Sequence, residues 1–236
     1  MDDEKINISK SDYNFFVSVN PNKKDVLKKK INNQISKIDI NNLVFLDDDS
    51  QYESTFEEIQ TTRVLSKDTF CKNIHPDDID KMFDKGHLLL EMRLDDNTLI
   101  GYSVFDLKMK EKHIYIHILC ANTQYKKVGT EFFNVIKEIA TKLDYDEIHL
   151  HSVTEAIEFY KKLKFKCYKD SCMLERLKNG DIVVIDTETA KQYIDKGYEC
   201  IDNQCLMVYK IKDMNLNGGR RKTLKNKKLK PTNNIT

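Results

Sequence analysis

In the middle third of the chain, segments with apolar residues at every second position give way to longer segments with a helical spacing of apolar residues. The first pattern predicts β-strands and the second predicts amphipathic helices. Three strands come first, joined by short polar turns, which is typical of an antiparallel meander. The predicted elements are strands His87–Leu94, Thr98–Leu107 and His113–Cys120, helix Val128–Leu143, strand Glu147–Val153, helix Thr154–Leu163 and strand Phe165–Tyr168.

The pattern is weaker before this section. Residues 1–40 are polar and rich in lysine, and we expect them to form a weakly packed extension. The apolar run Leu43–Leu46 predicts a strand, and the following acidic residues are good caps for a helix at Thr55–Leu65. A second helical stretch, Asp68–Phe83, is interrupted at Pro76 because proline cannot donate a backbone hydrogen bond.

Beyond the central section the strand–helix–strand pattern partly repeats before the chain becomes basic. Strands are predicted at Asp181–Ile185, Tyr198–Ile201 and Cys205–Ile211, with a helix at Thr187–Asp195. We expect Phe165–Tyr168 and Cys205–Ile211 to be the last two strands of one sheet, with residues 171–204 inserted between them. The alternative places Tyr198–Ile201 as the last strand but one. The predicted domain covers residues 41–213, and residues 214–236 lack an apolar face and are expected to be a disordered basic tail.

Composition narrows the class of protein. The chain has 236 residues, with 40% hydrophobic and 33% charged residues, which suits a soluble globular domain. A net charge of +1 argues against a dedicated nucleic-acid binder, although the basic segment Arg220–Lys230 resembles a nuclear localisation run and leaves a weak role possible. No segment resembles a membrane span or an export signal, so we expect a cytoplasmic protein, or a nuclear one.

The cysteines do not indicate a metal site. The six cysteines include two pairs with CxxxxC spacing, which is wider than the usual zinc spacing. Without an export signal we expect the thiols to be reduced, and no metal site is predicted.

The strongest candidate for chemistry is a polar loop that ends in glycine between the strand His113–Cys120 and the helix that begins at Val128. Backbone N–H groups of such a loop, together with the helix N-terminus, form an anion site. Gly129 allows a close approach, and Thr130 can add a hydroxyl group. The loop residues singled out are Gln124, Tyr125, Lys126, Lys127, Val128, Gly129 and Thr130.

The order of elements and two motifs resemble the GNAT acetyltransferase family. Its loop after the fourth strand reads Gln/Arg-x-x-Gly-x-Gly/Ala, and this chain has Gln124 to Gly129 with Lys127 at the middle glycine. Its second motif is close to Ala-x-x-Phe-Tyr-x-Lys-Leu-Gly-Phe, and this chain has Ala156 to Phe165 with Lys164 at the glycine. If Lys127 must adopt a positive φ, the substitution costs about 1 kcal/mol or more. The resemblance covers roughly residues 87–165.

The resemblance implies an α/β fold: a mixed, mostly antiparallel sheet flanked by helices on both faces. It implies acetyl-CoA as acyl donor, with the loop on its pyrophosphate and the pantetheine arm between two splayed strands, paired with the backbone of Ile118, Leu119 and Cys120. Phe159 is included among the cofactor-binding residues. The implied reaction is direct attack of a primary amine on the thioester, with Tyr160 in the position of the family's general acid.

The general base and the acceptor are left open by the sequence. His117 and Glu91 are the candidates that we retain, and His149 and His151, which share a face of their strand, are the other histidines considered. By alternation His117 is expected to face away from both Ile116 and Ile118. The acceptor amine and the oligomeric state cannot be predicted. The alternative function is a non-catalytic module of this fold that binds CoA or a protein, and a third is nucleic-acid binding by the tail.

Overall fold

The protein folds around one mixed sheet with helices on both faces. The computed structural model describes residues 5–65, 76–176, 182–186 and 198–211. In this part of the chain the strands are β1 (Tyr13–Val19), β2 (Leu43–Leu46), β3 (Leu88–Leu94), β4 (Leu99–Lys108), β5 (His113–Ala121), β6 (Glu147–Val153), β7 (Lys166–Arg176), β8 (Ile182–Asp186) and β9 (Tyr198–Lys210). The helices are α1 (Asp25–Ile35), α2 (Asp49–Leu65), α3 (Pro76–Lys85), α4 (Val128–Lys142) and α5 (Ile157–Lys162), with a 3₁₀ turn at Thr154–Ala156.

The strand order in the sheet is β2-β1-β3-β4-β5-β6-β9-β7-β8. The predicted meander is confirmed, because β3, β4 and β5 pair antiparallel with their neighbours in sequence. Only the pairs β1–β2 and β5–β6 are parallel among the strands described. The mixed, mostly antiparallel sheet expected from the sequence is therefore confirmed.

Two hydrophobic clusters lie on opposite faces of the sheet. The larger one, which we call the α4 face, packs α1, α4 and α5 against side chains such as Phe105, Ile116 and Leu150. The smaller one, which we call the α2 face, packs α2 and α3 against Leu89, Tyr102 and their neighbours. The α4 face holds most of the buried apolar side chains and therefore most of the hydrophobic stabilisation.

The expectation of a weakly packed extension over residues 1–40 is wrong for Tyr13–Val19. This segment is strand β1, which pairs with β3 along seven residues and with β2 at the sheet edge. Its alternating residues Tyr13, Phe15 and Val17 are buried in the α4-face core. The sequence pattern is hard to recognise because Ser18 and Asn20 are also buried, and Asn20 is held by hydrogen bonds to the carbonyls of Phe83 and Gly86.

The hydrogen-bond map resolves the order of the last strands. Strand β9 runs without interruption through both predicted segments, Tyr198–Ile201 and Cys205–Ile211. It pairs with β7 along its length and with β6 through its second half, so it lies between them. Tyr198–Ile201 is therefore not a strand of its own, and the alternative that makes it the last strand but one is wrong. The expected insertion over residues 171–204 is also too long, because β7 reaches Arg176 and β9 begins at Tyr198. The predicted helix Thr187–Asp195 and the tail, residues 214–236, lie outside the described residues.

The prediction of reduced thiols is wrong for Cys167 and Cys205, and also for Cys120, which is disulfide-bonded. Cys167 on β7 and Cys205 on β9 form a disulfide, with their Cα atoms 5.9 Å apart. The two strands are hydrogen-bonded neighbours, which brings the side chains into the range that a disulfide spans. The sequence could not predict this, because the two residues are 38 positions apart in the chain.

Candidate functional site

A fork opens between the parallel strands β5 and β6. Their backbone pairing begins at His113↔Glu147 and ends at Ile116↔Leu150. Strand β5 continues to Ala121 along β4, whereas β6 continues to Val153 along β9. In the described structure, β5 beyond Ile116 has no partner on β6, so its edge there is open to an added chain. The fork lies where the pantetheine arm was predicted.

A β-bulge in β5 sits at the start of this fork. Val104 of β4 pairs with Ile118, whereas the next residue, Phe105, pairs with Ile116, so His117 is the extra residue. The bulge reverses the alternation: Ile116 lies in the α4-face cluster and Ile118 in the α2-face cluster. The prediction that His117 faces away from both isoleucines is therefore wrong for Ile118. An inserted residue of this kind cannot be read from a regular alternating pattern.

The predicted loop leads into α4 with unpaired amide groups. The N–H groups of Lys127, Val128, Gly129 and Thr130 have no backbone acceptor among the described residues. Lys127 is the residue before the helix and adopts the left-handed conformation, with φ 67° and ψ 0°. Lys127 thus adopts the left-handed conformation that glycine, the family's residue at this position, favours. Four such amides at the N-terminus of a 15-residue helix have the arrangement that suits an anion.

The loop, the fork and α5 converge at Gly129. A Cβ atom on Gly129 would lie 3.0 Å from Phe159 Cζ and 3.6 Å from Leu119 Cδ2. Leu119 belongs to the open half of β5, and Phe159 belongs to α5. The glycine therefore leaves a narrow space between the predicted pyrophosphate loop and the predicted pantetheine channel.

Tyr160 is packed beside this convergence. Its ring contacts Phe159 and Phe165 at centroid distances of 5.1 and 5.5 Å, and the residue is 8% exposed. Burial raises the pKa of Tyr160. The phenol therefore stays protonated at neutral pH, as a general acid must be before it donates. Lys164, at the motif's glycine position, has φ 73° and ends the turn between α5 and β7.

The N-terminal segment contacts the same loop. Ile6 donates its N–H to the Gln124 carbonyl at 2.8 Å and accepts the Lys126 N–H at 2.9 Å. The Gln124 N–H is taken by Asn122 Oδ1 at 3.0 Å. Of the predicted loop residues, Gln124 and Lys126 thus use their amides to shape the loop, which leaves the four amides from Lys127 onward for an anion.

His117 lies on the α2 face of the fork next to a buried carboxylate. His117 Nε2 is 3.1 Å from Asp106 Oδ2, and the two side chains are 15% and 5% exposed. Burial works against the charged form of Asp106, but contacts from His117 and Lys108 outweigh it and hold the pKa of Asp106 well below its usual range. The sequence reading missed Asp106. The alternation of charged Asp106 and Lys108 with apolar neighbours was the available signal.

Further polar rings continue along this face of β5 and β6. Tyr115 Oη is 2.7 Å from His151 Nδ1, and the Tyr115 ring meets the His117 ring edge-on with centroids 4.9 Å apart. His113 and His149 stack with centroids 4.2 Å apart. The shared face of His149 and His151 is confirmed. Tyr115 was not singled out from the sequence, although it alternates with His113 and His117.

Glu91, the other predicted base, is built into the fold instead. It is 0% exposed, and its carboxylate accepts hydrogen bonds from Thr55 Oγ1 at 2.9 Å and Arg93 Nε at 2.7 Å. Arg93 also pairs with Glu58 at 2.7 Å. Burial raises the pKa of Glu91 while Arg93 opposes that shift. A base that took a proton here would leave Arg93 without a buried counter-charge, so the geometry argues against this role.

The family comparison agrees with this geometry. Residues 47–178 match the family model described as an acetyltransferase (GNAT) domain. The chain belongs to the GNAT acetyltransferase family. The match spans the strands of the fork, the loop, α4 and α5. No match is found among curated proteins.

Solved GNAT structures resemble this chain with low sequence identity. Nourseothricin acetyltransferase is 15% identical, with TM-score 0.37, over 52% of this chain and 65% of that one. A GNAT acetyltransferase from Elizabethkingia anophelis with acetyl-CoA bound is 13% identical, with TM-score 0.41, over 58% and 83%. The ribosomal-protein-S18-alanine N-acetyltransferase from Escherichia coli is 8% identical, with TM-score 0.44, over 66% and 88%. In the described part of this chain, no helix is long and apolar enough to cross a membrane.

Proposed function

We propose that this GNAT protein transfers an acetyl group from acetyl-CoA to a primary amine by direct attack of the amine on the thioester. The observation that carries the proposal is the open β5–β6 fork beside the four unpaired amides of α4. Acetyl-CoA would supply the activated acyl group. The residues of this chain would bind it, hold the amine and move the protons.

The donor fits the loop and the fork by charge and shape. A pyrophosphate is an anion, and the amides of Lys127 to Thr130 point their partial positive charge to one site at the N-terminus of α4. Gly129 keeps the space between this site and Phe159 open. The pantetheine arm would lie along Ile118, Leu119 and Cys120, where the described pairing of β5 with β6 has already ended, as in strand addition.

Two side chains are proposed to move protons. Tyr160 is the general acid that protonates the departing thiolate, because it stands at the family's acid position and its ring contacts Phe159, which borders the space at Gly129. His117 is the general base, because it lies at the start of the open half of β5 with its Nε2 atom 3.1 Å from the Asp106 carboxylate. Glu91 is not retained as a base, because its buried carboxylate is paired with Arg93.

Calorimetric titration with acetyl-CoA tests the proposal, using a matched pair of variants at one residue. Gly129→Ala and Gly129→Pro both add carbon close to Phe159, but only proline removes the N–H. A hydrogen bond to a charged group contributes about 1.5–3 kcal/mol, so Gly129→Pro should bind about 10- to 100-fold more weakly than Gly129→Ala. We expect the unmodified protein to bind in the micromolar range.

The proposal is abandoned if the unmodified protein does not bind acetyl-CoA. Equal affinity of the two variants would show that the loop amides do not bind the donor. Release of the CoA thiol in the presence of a panel of primary amines then measures transfer. Binding without transfer to any amine would favour the non-catalytic alternative, in which the fold binds CoA but has no acceptor.

A further inference from the structure

One side-chain contact spans the fork between β5 and β6. Tyr115 lies in the paired part of β5, opposite His149, and His151 is the first residue of β6 beyond the last pair, Ile116↔Leu150. The Tyr115 hydroxyl oxygen and His151 Nδ1 are 2.7 Å apart. The contact therefore joins the two strands at the point where their backbones separate.

Tyr115 contacts two histidines at this point, His117 and His151. His117 is 15% exposed and is held by the carboxylate of Asp106, whereas His151 is exposed to solvent and is held by the hydroxyl of Tyr115. Tyr115 lies between them, since its ring also contacts His117. His117 is thus placed to exchange protons inside the site, and His151 is placed to exchange them with water.

The proposed reaction requires two proton acceptors. A primary amine arrives as an ammonium ion, and its nitrogen loses two protons on the way to the amide. The first must leave to expose the lone pair, and the second leaves as the C–N bond forms and the C–S bond breaks. One proton finally resides on the CoA sulfur and the other in solvent. His117 accounts for one of the two acceptors.

We propose that Tyr115 and His151 form a relay that takes the first proton of the acceptor ammonium group and delivers it to solvent, an inference that rests on the proposed acetyl transfer. Tyr115 Oη accepts a proton from the ammonium group while the Tyr115 hydroxyl passes its own proton to His151 Nδ1. The His151 imidazolium then releases a proton to water. His117 takes the second proton during attack, and Tyr160 protonates the sulfur. The His117 imidazolium then releases its proton to solvent and the Tyr160 phenolate takes one up, so both side chains are restored and the net products are the amide, the CoA thiol and one proton in solvent.

The electrostatic setting suits this relay at neutral pH. Partial desolvation of the ring, reinforced by His149, lowers the pKa of His151, and burial, reinforced by Asp106, raises the pKa of Tyr115. Both groups are then neutral before the ammonium group arrives, so the phenol can donate and the imidazole can accept. The titratable groups that act directly on the pair are Asp106 and His117 at Tyr115 and His149 at His151. A second set of titratable groups interacts with Asp106, Glu147 or His149: Lys108, His87 and Lys23 at Asp106, Lys210 at Glu147, and Glu147 and His113 at His149.

A comparison of two amines separates a relay from a structural role. Butylamine is fully protonated at neutral pH and needs the first deprotonation, whereas trifluoroethylamine is largely neutral and does not. Tyr115→Phe and His151→Gln should lower kcat/KM for butylamine by about 10²-fold or more and leave kcat/KM for trifluoroethylamine near the unmodified value. His113→Gln, on the same face but outside the fork, is the control. Equal losses with both amines would overturn the relay.

An NMR measurement tests the relay even if neither amine is a substrate. The ¹⁵N shifts of the imidazoles should show neutral His151 with its proton on Nε2, and His151 should titrate below its usual pKa. Tyr115→Phe should change the Nδ1 shift of His151. A proton on Nδ1, or titration at the usual pKa, would contradict the relay. Failure of the proposed function is a separate result, because it appears as absent acetyl-CoA binding.

Discussion

The two faces of the β5–β6 pair show how one backbone can serve two purposes. On the α4 face the paired residues are aliphatic and buried, as in Ile114, Ile148 and Leu150. On the α2 face their immediate neighbours in sequence are ionisable and partly exposed, as in Tyr115 and His149. The first set excludes water and contributes to stability, whereas the second keeps polar groups within reach of a substrate.

The contrast between the two faces does not hold for the whole sheet. Farther along the α2 face, Glu91 and Arg93 are ionisable but sealed under α2, with exposed fractions of 0% and 5%. Their charges are satisfied by each other and by Thr55 and Glu58. Access to solvent, rather than residue type, thus separates the two uses of an ionisable residue.

The largest expected effect comes from breaking this sealed pair. Arg93→Met should lower the free energy of unfolding by about 3–5 kcal/mol, because it leaves the Glu91 carboxylate buried without a counter-charge. The double variant Glu91→Leu/Arg93→Met removes both charges and should recover most of that loss. Urea denaturation measures both. A loss below about 1 kcal/mol for Arg93→Met would mean that the pair is hydrated and that Glu91 is available as a base.

The second prediction compares adjacent residues of β6 on opposite faces. Ile148→Ala should lower the free energy of unfolding by about 2–5 kcal/mol, because Ile148 is 0% exposed and its removal leaves a cavity. His149→Gln should change it by about 0.5 kcal/mol or less, because His149 is partly exposed.

Thermal unfolding of both variants under the same buffer provides the measurement. Similar losses for the two variants would show that the polar face is as tightly packed as the aliphatic one, and the contrast between the faces would fail.

Much of the fold was predictable because its signal is local. The alternation of His113 to Ile116 and the helical period of α4 follow directly from which residues touch the core. Strand β1 was missed because Ser18 and Asn20 are buried polar residues, and the partners of Asn20 lie far away in sequence. The bulge at His117 was missed because one inserted residue leaves no mark on composition.

The candidate site was only partly predictable, because some of its residues stand in local motifs and others are brought together by long-range contacts. The loop and Tyr160 stand in contiguous motifs, so they could be named from the sequence. Asp106 and the Tyr115–His151 contact depend on strand register, which joins residues that the sequence separates. Glu91 was misjudged because its partner Arg93 lies two positions away on the same face, and the sequence does not show that α2 covers both.

The smallest expected effect concerns the two lysines at the family's glycine positions. Lys127 and Lys164 both adopt a positive φ, 67° and 73°, beside the proposed donor site. The left-handed conformation costs a residue with a side chain about 1–2 kcal/mol, and glycine's greater freedom in the unfolded chain returns about 0.4–1 kcal/mol of that. Lys127→Gly and Lys164→Gly should each therefore raise the free energy of unfolding by about 0.5–1 kcal/mol.

Lys162→Gly is the matched control, because Lys162 is the last residue of α5 and does not have a positive φ, so glycine there costs up to about 1 kcal/mol. Opposite signs for Lys164→Gly and Lys162→Gly in urea denaturation would show that conformation, and not loss of a charge, determines the effect. If Lys127→Gly also leaves acetyl-CoA affinity unchanged, the strained turn serves only to orient the amides. A weaker affinity would mean that the Lys127 side chain itself contacts the donor and that its charge contributes to binding.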